Sequence, residues 1–292
     1  MSQQFTGAGV ALVTPFTAEN KIDFNSLEKI IDNQKKGGTD YLVALGTTAE
    51  TPTLTATEKA ELVRFVKDKK GDLPLVVGMG GNDTRKIIKQ IHKFDFDNVD
   101  GLLIVTPYYN KPNQEGMFRH YAAIAKVSPV PIILYNVPSR TGVNMEAETV
   151  IRLAEESDKI VAVKEASGDL GQITQICKHT PDDFSVISGD DAMALPLLSV
   201  GGRGVISVVA NALPEKLSKL IHAGLEGNFE TAGKIHAELS ELLGLLFKEG
   251  NPGGVKALLH IQGVIQNELR SPLFRITDAT YNEIKEAYSK LK

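Results

Sequence analysis

The sequence contains no tryptophan and only one cysteine, Cys177. One cysteine cannot form an intrachain disulfide, so a reducing compartment such as the cytoplasm is the natural setting. Cys177 lies in a stretch with a helical pattern, residues 169–179, and we interpret it as an inert, small hydrophobic side chain. With 292 residues, of which 42% are hydrophobic, the chain is long enough to bury the core of one large domain.

Long apolar runs and an excess of one charge are lacking as well. No uninterrupted apolar stretch approaches the roughly 20 residues that a membrane-spanning helix needs. The polar start of the chain, residues 1–7, lacks the charged-then-apolar pattern of a signal peptide. The formal net charge is only −4, without the clustered lysines and arginines that bind nucleic acid. We therefore expect a cytoplasmic protein that binds neither membranes nor nucleic acid.

Sets of metal ligands are also missing from the sequence. The six histidines are scattered along the chain and show no ligand spacing. We interpret the acidic pair Asp190-Asp191 as capping the helix that follows the seventh apolar run. The sequence therefore predicts no metal site.

Short runs rich in Val, Ile and Leu recur along the chain, with helical segments between them. None alternates cleanly between polar and apolar residues, which indicates strands buried on both faces, as in a parallel sheet. Eight strand-then-helix units in about 225 residues predict an α/β fold of the (β/α)8 (TIM) barrel type. A doubly wound open sheet is the alternative, but the first run ends in Thr14-Pro15-Phe16 and not in a Gly-rich dinucleotide loop. The predicted strands are residues 9–14, 41–46, 74–79, 101–106, 131–135, 160–164, 184–188 and 204–207.

Helix-period patterns fill the segments between the runs. Thr55 with Glu58 resembles a capping box, and Gly37-Gly38 is expected to end the first helix. Beyond the eighth unit the pattern is entirely helical, so we divide the chain into a barrel and a C-terminal helical appendage. The barrel comprises residues 1–227 and the appendage residues 228–292, with helices predicted at 229–248, 254–266 and 280–291.

The active site of such a barrel lies at the carboxyl ends of its strands, so the polar residues that follow each run are the candidates. Most carry hydroxyls, one is an amine and few are carboxylates. This inventory suits a site that binds a small carboxylate and moves protons without a metal. The candidates are Thr14, Thr47, Thr48, Tyr108, Tyr109, Tyr135, Asn136, Lys164, Glu165, Ser188, Gly189 and Asp190.

Lys164 ends the sixth run, Ile-Val-Ala-Val, which we expect to be buried on both faces. A lysine placed there is expensive to charge, and this favours a neutral, nucleophilic amine. Such an amine condenses with a ketone to give an iminium, an electron sink that acidifies the neighbouring carbon. The alternative interpretation is a structural lysine paired with Glu165 or another acid.

The surrounding residues favour the Schiff-base interpretation. Tyr135 ends the neighbouring run and places a phenol near Lys164 for proton exchange, which hydroxyls from Thr47 and Tyr109 would assist. Residues 46–50, Gly-Thr-Thr-Ala-Glu, combine hydroxyls with backbone N–H groups and suit a carboxylate; we call this segment the hydroxyl turn. Arg140 lies in the loop after the fifth run, where its guanidinium would grip a second carboxylate. The alternatives are tyrosines that only pack, an ordinary capping turn and a surface arginine.

Several segments are distinctive in combination: Val-Thr-Pro-Tyr-Tyr-Asn-Lys-Pro at 105–112, Leu-Tyr-Asn-Val-Pro-Ser-Arg-Thr-Gly at 134–142, Val-Lys-Glu-Ala at 163–166 and Ser-Gly-Asp-Asp at 188–191. With them, the chain resembles the dihydrodipicolinate synthases, within the N-acetylneuraminate lyase superfamily of class I pyruvate aldolases. The resemblance covers essentially the whole length, from Gly-Val-Ala-Leu-Val-Thr-Pro at 9–15 to the C-terminal helices.

The resemblance implies condensation of pyruvate with L-aspartate 4-semialdehyde to 4-hydroxy-tetrahydrodipicolinate, in the diaminopimelate route to lysine. Lys164 matches the family's Schiff-base lysine. Tyr135, Thr47 and Tyr109 match a proton-relay triad, in which the tyrosine that matches Tyr109 reaches over from a neighbouring subunit. The resemblance thus implies a homo-oligomer, usually a tetramer built as a dimer of dimers. It implies no metal or organic cofactor, because the lysine supplies the electron sink.

The resemblance also assigns substrate-binding residues. Thr48 matches a residue that helps to hold the pyruvate carboxylate. Arg140 matches the arginine that binds the carboxylate of the semialdehyde. Gly189 and Ile206 match main-chain positions that line the site.

The hydroxyl turn departs from the superfamily pattern Gly-x-x-Gly-Glu, because Ala49 replaces the second glycine. If that position requires a positive φ, alanine costs about 1 kcal/mol, and the turn is then slightly reshaped. Thr47, Thr48 and Glu50 remain, so the expected activity is unchanged.

A second departure concerns inhibition by lysine, which binds many family members at an interface between subunits. Asn82 and Tyr108 match the residues of that effector site. Ala56 and Lys59, however, stand where sensitive members have histidines, and Lys86 stands in place of the acid that binds the amine of lysine. Two positive side chains repel a cationic effector, so we predict weak or absent inhibition.

Other functions remain as alternatives. N-acetylneuraminate lyase and the keto-deoxy sugar acid aldolases share Lys164, Tyr135 and the hydroxyl turn. Arg140 and the pair Tyr108-Tyr109 favour the synthase, since its second substrate is a small amino acid aldehyde. A non-catalytic barrel that binds a small molecule is the more remote alternative, and it predicts the loss of at least one residue of the triad or of Lys164.

Overall fold

A computed structural model describes residues 5–291. The first four residues, on which the expectation of no signal peptide partly rests, and the last residue lie outside the described part. Eight parallel strands form a closed barrel in the order of the chain, as the apolar runs predicted. The strands are β1 (Gly7–Ala11), β2 (Tyr41–Ala44), β3 (Leu75–Gly78), β4 (Gly101–Val105), β5 (Ile132–Asn136), β6 (Ile160–Glu165), β7 (Ser185–Ser188) and β8 (Gly204–Ser207).

Helices follow the strands and surround the barrel, so the (β/α)8 prediction is confirmed. The barrel helices are α1 (Phe24–Lys36), α2 (Ala56–Lys69), α3 (Thr84–Ile91), α4 (Gln114–Ala125), α5 (Pro138–Thr141), α6 (Ala147–Glu156), α7 (Leu170–His179), α8 (Ala194–Ser199) and α9 (Pro214–Leu225). The appendage contributes α10 (Phe229–Phe247), α11 (Gly253–Ile261) and α12 (Asp278–Ser289).

The predicted helix signals are present. Both hydrogen bonds of the capping box join Thr55 and Glu58 at the start of α2. Gly37 ends α1, and Gly38 follows in the left-handed region with φ +75°, which suits glycine because it has no Cβ.

Two predicted boundaries are wrong for identifiable reasons. The first strand was predicted to reach residue 14, but the Val13 N–H donates to Asn211 Oδ1 at 3.0 Å, so the backbone leaves the ladder. Helix α11 was predicted to reach residue 266, but Gly263 has φ +73° and ends the helix early. The division of the chain at residues 227 and 228 stays a prediction.

Two apolar layers hold the barrel together. The inner layer fills its interior with side chains such as Tyr41, Val43, Ile133, Ile187 and Ile206. The larger outer layer packs the strands against the helices and extends into α10, α11 and α12. Among residues 5–291, no helix combines the length and the apolar character that crossing a membrane requires.

Cys177 lies on α7, as the sequence pattern predicted. Burial raises the pKa of its thiol to about 11, so the reactive thiolate is scarce near neutral pH. This supports its interpretation as an inert side chain.

Candidate active site

Two predicted residues, Lys164 and Tyr135, are brought together by strand pairing. In the parallel ladder between β5 and β6, Tyr135 lies directly opposite Lys164. Residues alternate across a strand, so both side chains point into the barrel with the inward-facing Ala162 and Ile133. Lys164 is only 5% exposed, and its Nζ lies 4.3 Å from the centroid of the Tyr135 ring.

Glu165 points the opposite way and is not the partner of Lys164. Its carboxylate accepts hydrogen bonds from Asn136 Nδ2 at 3.1 Å, Ser167 N at 2.8 Å and Gln172 Nε2 at 3.0 Å. Burial raises the pKa of Glu165, although these hydrogen bonds oppose the shift. The interpretation of Lys164 as one half of a structural pair with Glu165 is therefore wrong.

Gly189 makes room for the lysine side chain. A Cβ at this position would lie 3.1 Å from Lys164 Cε and 2.7 Å from Ala166 Cβ, closer than side chains pack. The Gly189 N–H donates to the Glu165 carbonyl at 2.7 Å, which holds the backbone beside β6. Ile206, on β8, is fully buried in the inner layer.

The hydroxyl turn forms a short 3-10 turn, Thr47–Ala49, directly above β2. Ala49 does not have a positive φ, whereas Leu45 and Glu50 on either side do, with φ of 56° and 55°. The condition for strain at Ala49 is therefore not met. The Ala49 carbonyl accepts a hydrogen bond from Thr14 Oγ1 at 2.8 Å, which ties the turn to the end of β1.

Residues of the appendage hold this turn from outside the barrel. Asn251 Nδ2 donates to Thr48 Oγ1 at 3.0 Å. Lys256 forms an ion pair with Glu50, and both side chains are fully buried. The other oxygen of Glu50 accepts a hydrogen bond from Arg270 N at 3.0 Å.

Burial lowers the pKa of Lys256 to about 8, against the opposing attraction of Glu50. Lys256 was not among the residues predicted from the sequence. The sequence signal for it was a single charged residue within the apolar run Val-Lys-Ala-Leu-Leu at 255–259. Such a run indicates a helix that is buried on all sides, where a lysine is unusual.

A cavity of about 580 Å³ opens at the barrel mouth. Four of the predicted residues line it: Thr47, Tyr108, Tyr135 and Arg140. Arg140 is exposed and lies on the short helix α5, directly after β5. A threonine hydroxyl, two phenols and a guanidinium thus face one space. Lys164 is not among the residues that line it, but its amine lies beside the ring of Tyr135, which does.

Tyr109 is not brought into this site by its own chain. Its side chain is 84% exposed, and its backbone is held in the left-handed region with φ 72°. A large exposed aromatic side chain on a left-handed residue is uncommon. The expectation that Tyr109 completes the site of a neighbouring subunit stays a prediction.

The acidic pair after β7 does not cap α8, so that interpretation is wrong. Asp191 accepts hydrogen bonds from the N–H groups of Val208 and Val209 at 3.0 and 2.9 Å, and so fixes the end of β8. Asp190 accepts from Ala192 N at 2.9 Å. Within residues 5–291, no group of three or more His, Cys, Asp or Glu side chains is placed to hold a metal ion.

Comparisons with known proteins agree over nearly the whole length of the chain. The sequence model of the Dihydrodipicolinate synthetase family matches residues 4–291. The 4-hydroxy-tetrahydrodipicolinate synthase of Parabacteroides distasonis is 48% identical over 98% of this chain and 96% of its own. That of Azobacteroides pseudotrichonymphae is 49% identical, over 96% and 95%. The crystal structure of dihydrodipicolinate synthase from Thermotoga maritima superposes with a TM-score of 0.95 at 40% identity, over 98% of both chains.

Proposed function

The chain belongs to the dihydrodipicolinate synthetase family, and from that premise we propose that it is a lyase that condenses pyruvate with L-aspartate 4-semialdehyde through a Schiff base on Lys164. The product is 4-hydroxy-tetrahydrodipicolinate, which feeds the diaminopimelate route to lysine. The observation that carries the proposal is the buried Lys164 amine beside the Tyr135 ring, inside the barrel and next to a cavity with an arginine at its rim.

The reaction begins with pyruvate. Its carboxylate binds to the hydroxyls of Thr47 and Thr48, and the neutral Lys164 amine attacks the ketone carbon. Loss of water gives an iminium, whose positive nitrogen acidifies the adjacent methyl group. Tyr135 and its relay partners, Thr47 and Tyr109, then remove one methyl proton, which leaves an enamine.

The second substrate then enters from the barrel mouth. Arg140, exposed on α5 and lining the cavity, binds the carboxylate of the semialdehyde in two-point fashion. The enamine carbon attacks the aldehyde and forms the new carbon–carbon bond. The amino group of the substrate displaces Lys164 by transimination, which closes the ring and frees the enzyme. Lys164 supplies the electron sink, so the proposal includes no metal or organic cofactor.

Oligomerisation is part of the proposal. Tyr109 is 84% exposed in a single chain, and we assign it to the relay of a neighbouring subunit, within a tetramer built as a dimer of dimers. Gly189 and Ile206 contribute main chain and packing to the wall of the site. We place the protein in the cytoplasm, where its small-molecule substrates are found.

The test measures pyruvate consumption by the purified protein with aspartate semialdehyde, and in parallel with N-acetylmannosamine. We expect turnover with the semialdehyde only. Borohydride reduction in the presence of pyruvate should attach the pyruvate carbons to Lys164, detected by mass spectrometry of peptides. Turnover with the sugar alone would instead assign the protein to the lyase branch.

Two variants complete the test. Lys164→Ala should lower kcat by a factor on the order of 1,000 or more and abolish the adduct. Lys159→Ala is the matched control, since this lysine is exposed just before the same strand and should behave as wild type. Activity retained by Lys164→Ala would refute the Schiff base at this residue.

A further inference from the structure

Asn251 connects the appendage to the part of the site that receives pyruvate. It lies in the turn between α10 and α11, is 8% exposed, and donates from Nδ2 to Thr48 Oγ1 at 3.0 Å. It is separated from Thr48 by 203 positions in the sequence. No property of the barrel sequence alone indicates this contact.

The direction of this hydrogen bond determines what the Thr48 hydroxyl offers to a ligand. A hydroxyl has one hydrogen to donate and two lone pairs that accept. Because the Asn251 amide donates to Thr48 Oγ1, one lone pair is occupied and the hydroxyl hydrogen stays available for another acceptor. Among the residues that the structure describes, Asn251 is the partner assigned to this oxygen. A carboxylate, which only accepts hydrogen bonds, is the matching ligand.

The turn that carries Asn251 is itself held firmly. Gly254 lies against the backbone of Leu246, where a Cβ would collide with the carbonyl, so α10 and α11 approach closely. Near the start of α11, Lys256 pairs with Glu50, which lies two residues beyond Thr48. Two buried contacts, Asn251 with Thr48 and Lys256 with Glu50, therefore tie one segment to the hydroxyl turn, and this limits how far the Asn251 amide can move.

We propose that Asn251 is a positioning residue for pyruvate, which directs the Thr48 hydroxyl hydrogen towards the substrate carboxylate. The inference rests on the proposed function, in which Thr48 helps to hold that carboxylate. It adds a residue of the appendage to a site otherwise built by the barrel. Asn251 does not touch the reacting atoms, so its removal affects the binding of pyruvate more than the chemical steps.

The first experiment is a double-mutant cycle between Asn251→Ala and Thr48→Val. Removing the donor lets the hydroxyl rotate away, so we expect Asn251→Ala to raise the KM for pyruvate roughly 5- to 30-fold. The kcat and the KM for the semialdehyde should change by less than about twofold. In the Thr48→Val background the same substitution should have no further effect, since no hydroxyl remains to be oriented.

A second variant keeps the test decisive if alanine disturbs folding. Asn251→Asp has the same shape but only accepts hydrogen bonds at neutral pH, so it draws the Thr48 hydrogen away from pyruvate. We expect a larger rise in the pyruvate KM than for Asn251→Ala, and the part due to orientation should disappear in the Thr48→Val background. Asn282→Asp, on an exposed position of α12, is the control for the added charge and should behave as wild type.

The readout that separates this inference from the proposed function is borohydride trapping, which needs pyruvate alone. If the wild type does not trap pyruvate on Lys164, the proposed function fails. If the wild type traps pyruvate and the Asn251 variants need the same pyruvate concentration for half-maximal trapping, the positioning role fails alone. An equal rise in the KM values of both substrates, or an equal rise in both Thr48 backgrounds, would also overturn it.

Discussion

Lys164 and Tyr135 lie on adjacent strands that pair in register, whereas Thr47 and Thr48 lie on a short turn that the appendage holds in place. The first region is fixed by the barrel ladder, in which Tyr135 pairs with Lys164 and the residues on either side pair in the same register. The second region depends on contacts with Asn251 and the buried Lys256, which come from the far end of the chain. The groups proposed to react and the groups proposed to bind substrate therefore rely on different parts of the fold.

The difference fits the role proposed for each region. A nucleophile and its proton donor must be held to within a fraction of an ångström, and strands provide that precision. A turn offers hydroxyls and free N–H groups, but its backbone is held less firmly. Here it passes through the left-handed region at Leu45 and Glu50. The Lys256–Glu50 pair and the Asn251 contact supply the rigidity that the turn lacks. We therefore expect substitutions in the first region to affect the chemical steps, and substitutions in the second region to affect folding or substrate binding.

The largest effect is expected in the first region, which we call the strand-borne region and which consists of Lys164 and Tyr135. Tyr135→Phe removes only the phenol oxygen and keeps the ring beside Lys164, so packing is preserved. Loss of a positioned proton donor and acceptor should lower kcat by a factor of about 100 to 10,000, while the melting temperature stays near that of the wild type. Steady-state kinetics at saturating concentrations of both substrates measures this.

The matched control is Tyr281→Phe. It removes the same atom from a tyrosine of the appendage, whose hydroxyl contacts His260 Nδ1 at 2.8 Å, and should leave kcat unchanged. A kcat for Tyr135→Phe within about threefold of the wild type would refute the relay role of this residue.

A smaller effect, on the stability of the fold, is expected in the second region, which we call the turn-borne region and which consists of the hydroxyl turn and its contacts with the appendage. Lys256→Met leaves the Glu50 carboxylate buried without its counter-charge, which costs about 3–5 kcal/mol of the free energy of unfolding. The double variant Lys256→Met with Glu50→Gln removes both charges and should recover at least about 1 kcal/mol of that loss. Equilibrium unfolding in urea measures both values.

The control for this comparison is Lys290→Met, because Lys290 forms an exposed pair with Glu241. Exposed pairs contribute little, so its unfolding midpoint should match that of the wild type. If Lys256→Met is as stable as the wild type, the buried pair does not anchor the hydroxyl turn.

The strand-borne region was predictable from the sequence, because its position depends on residues close together in the chain. Runs of Val, Ile and Leu mark the strands, and a polar residue at the end of such a run must lie at the barrel mouth. Lys164 and Tyr135 therefore follow from the pattern, and the parallel register places them side by side. The direction in which Glu165 points also follows from strand alternation.

The support of the turn was not predictable in the same way. Asn251 and Lys256 act through the docking of the appendage, and helix periodicity does not specify where a helix docks. Asp191 shows the same limit, because the pattern suggested a local cap while the carboxylate bonds to backbone N–H groups beyond β8. Contacts between residues far apart in sequence are set by the packing of the whole fold.

The smallest effect is expected from the addition of L-lysine, at the part of the cavity that is lined by residues outside the strands. Ala56, Lys59 and Tyr108 line the cavity there, and its described lining contains Lys59 and Arg140 but no acidic side chain. Lys86 adds an exposed positive charge on the nearby helix α3. A cationic amino acid therefore meets repulsion and finds no carboxylate to bind its amine.

We accordingly expect L-lysine at about 1 mM to leave the initial rate unchanged, which corresponds to binding weaker than about −4 kcal/mol. Titration of lysine into the pyruvate-consumption assay measures this. The double variant Lys59→Glu with Lys86→Glu tests the role of charge, because it reverses two charges without altering the strands. This variant should gain inhibition by lysine and retain the kcat of the wild type. An inhibition constant below about 1 mM for the wild type would contradict this prediction.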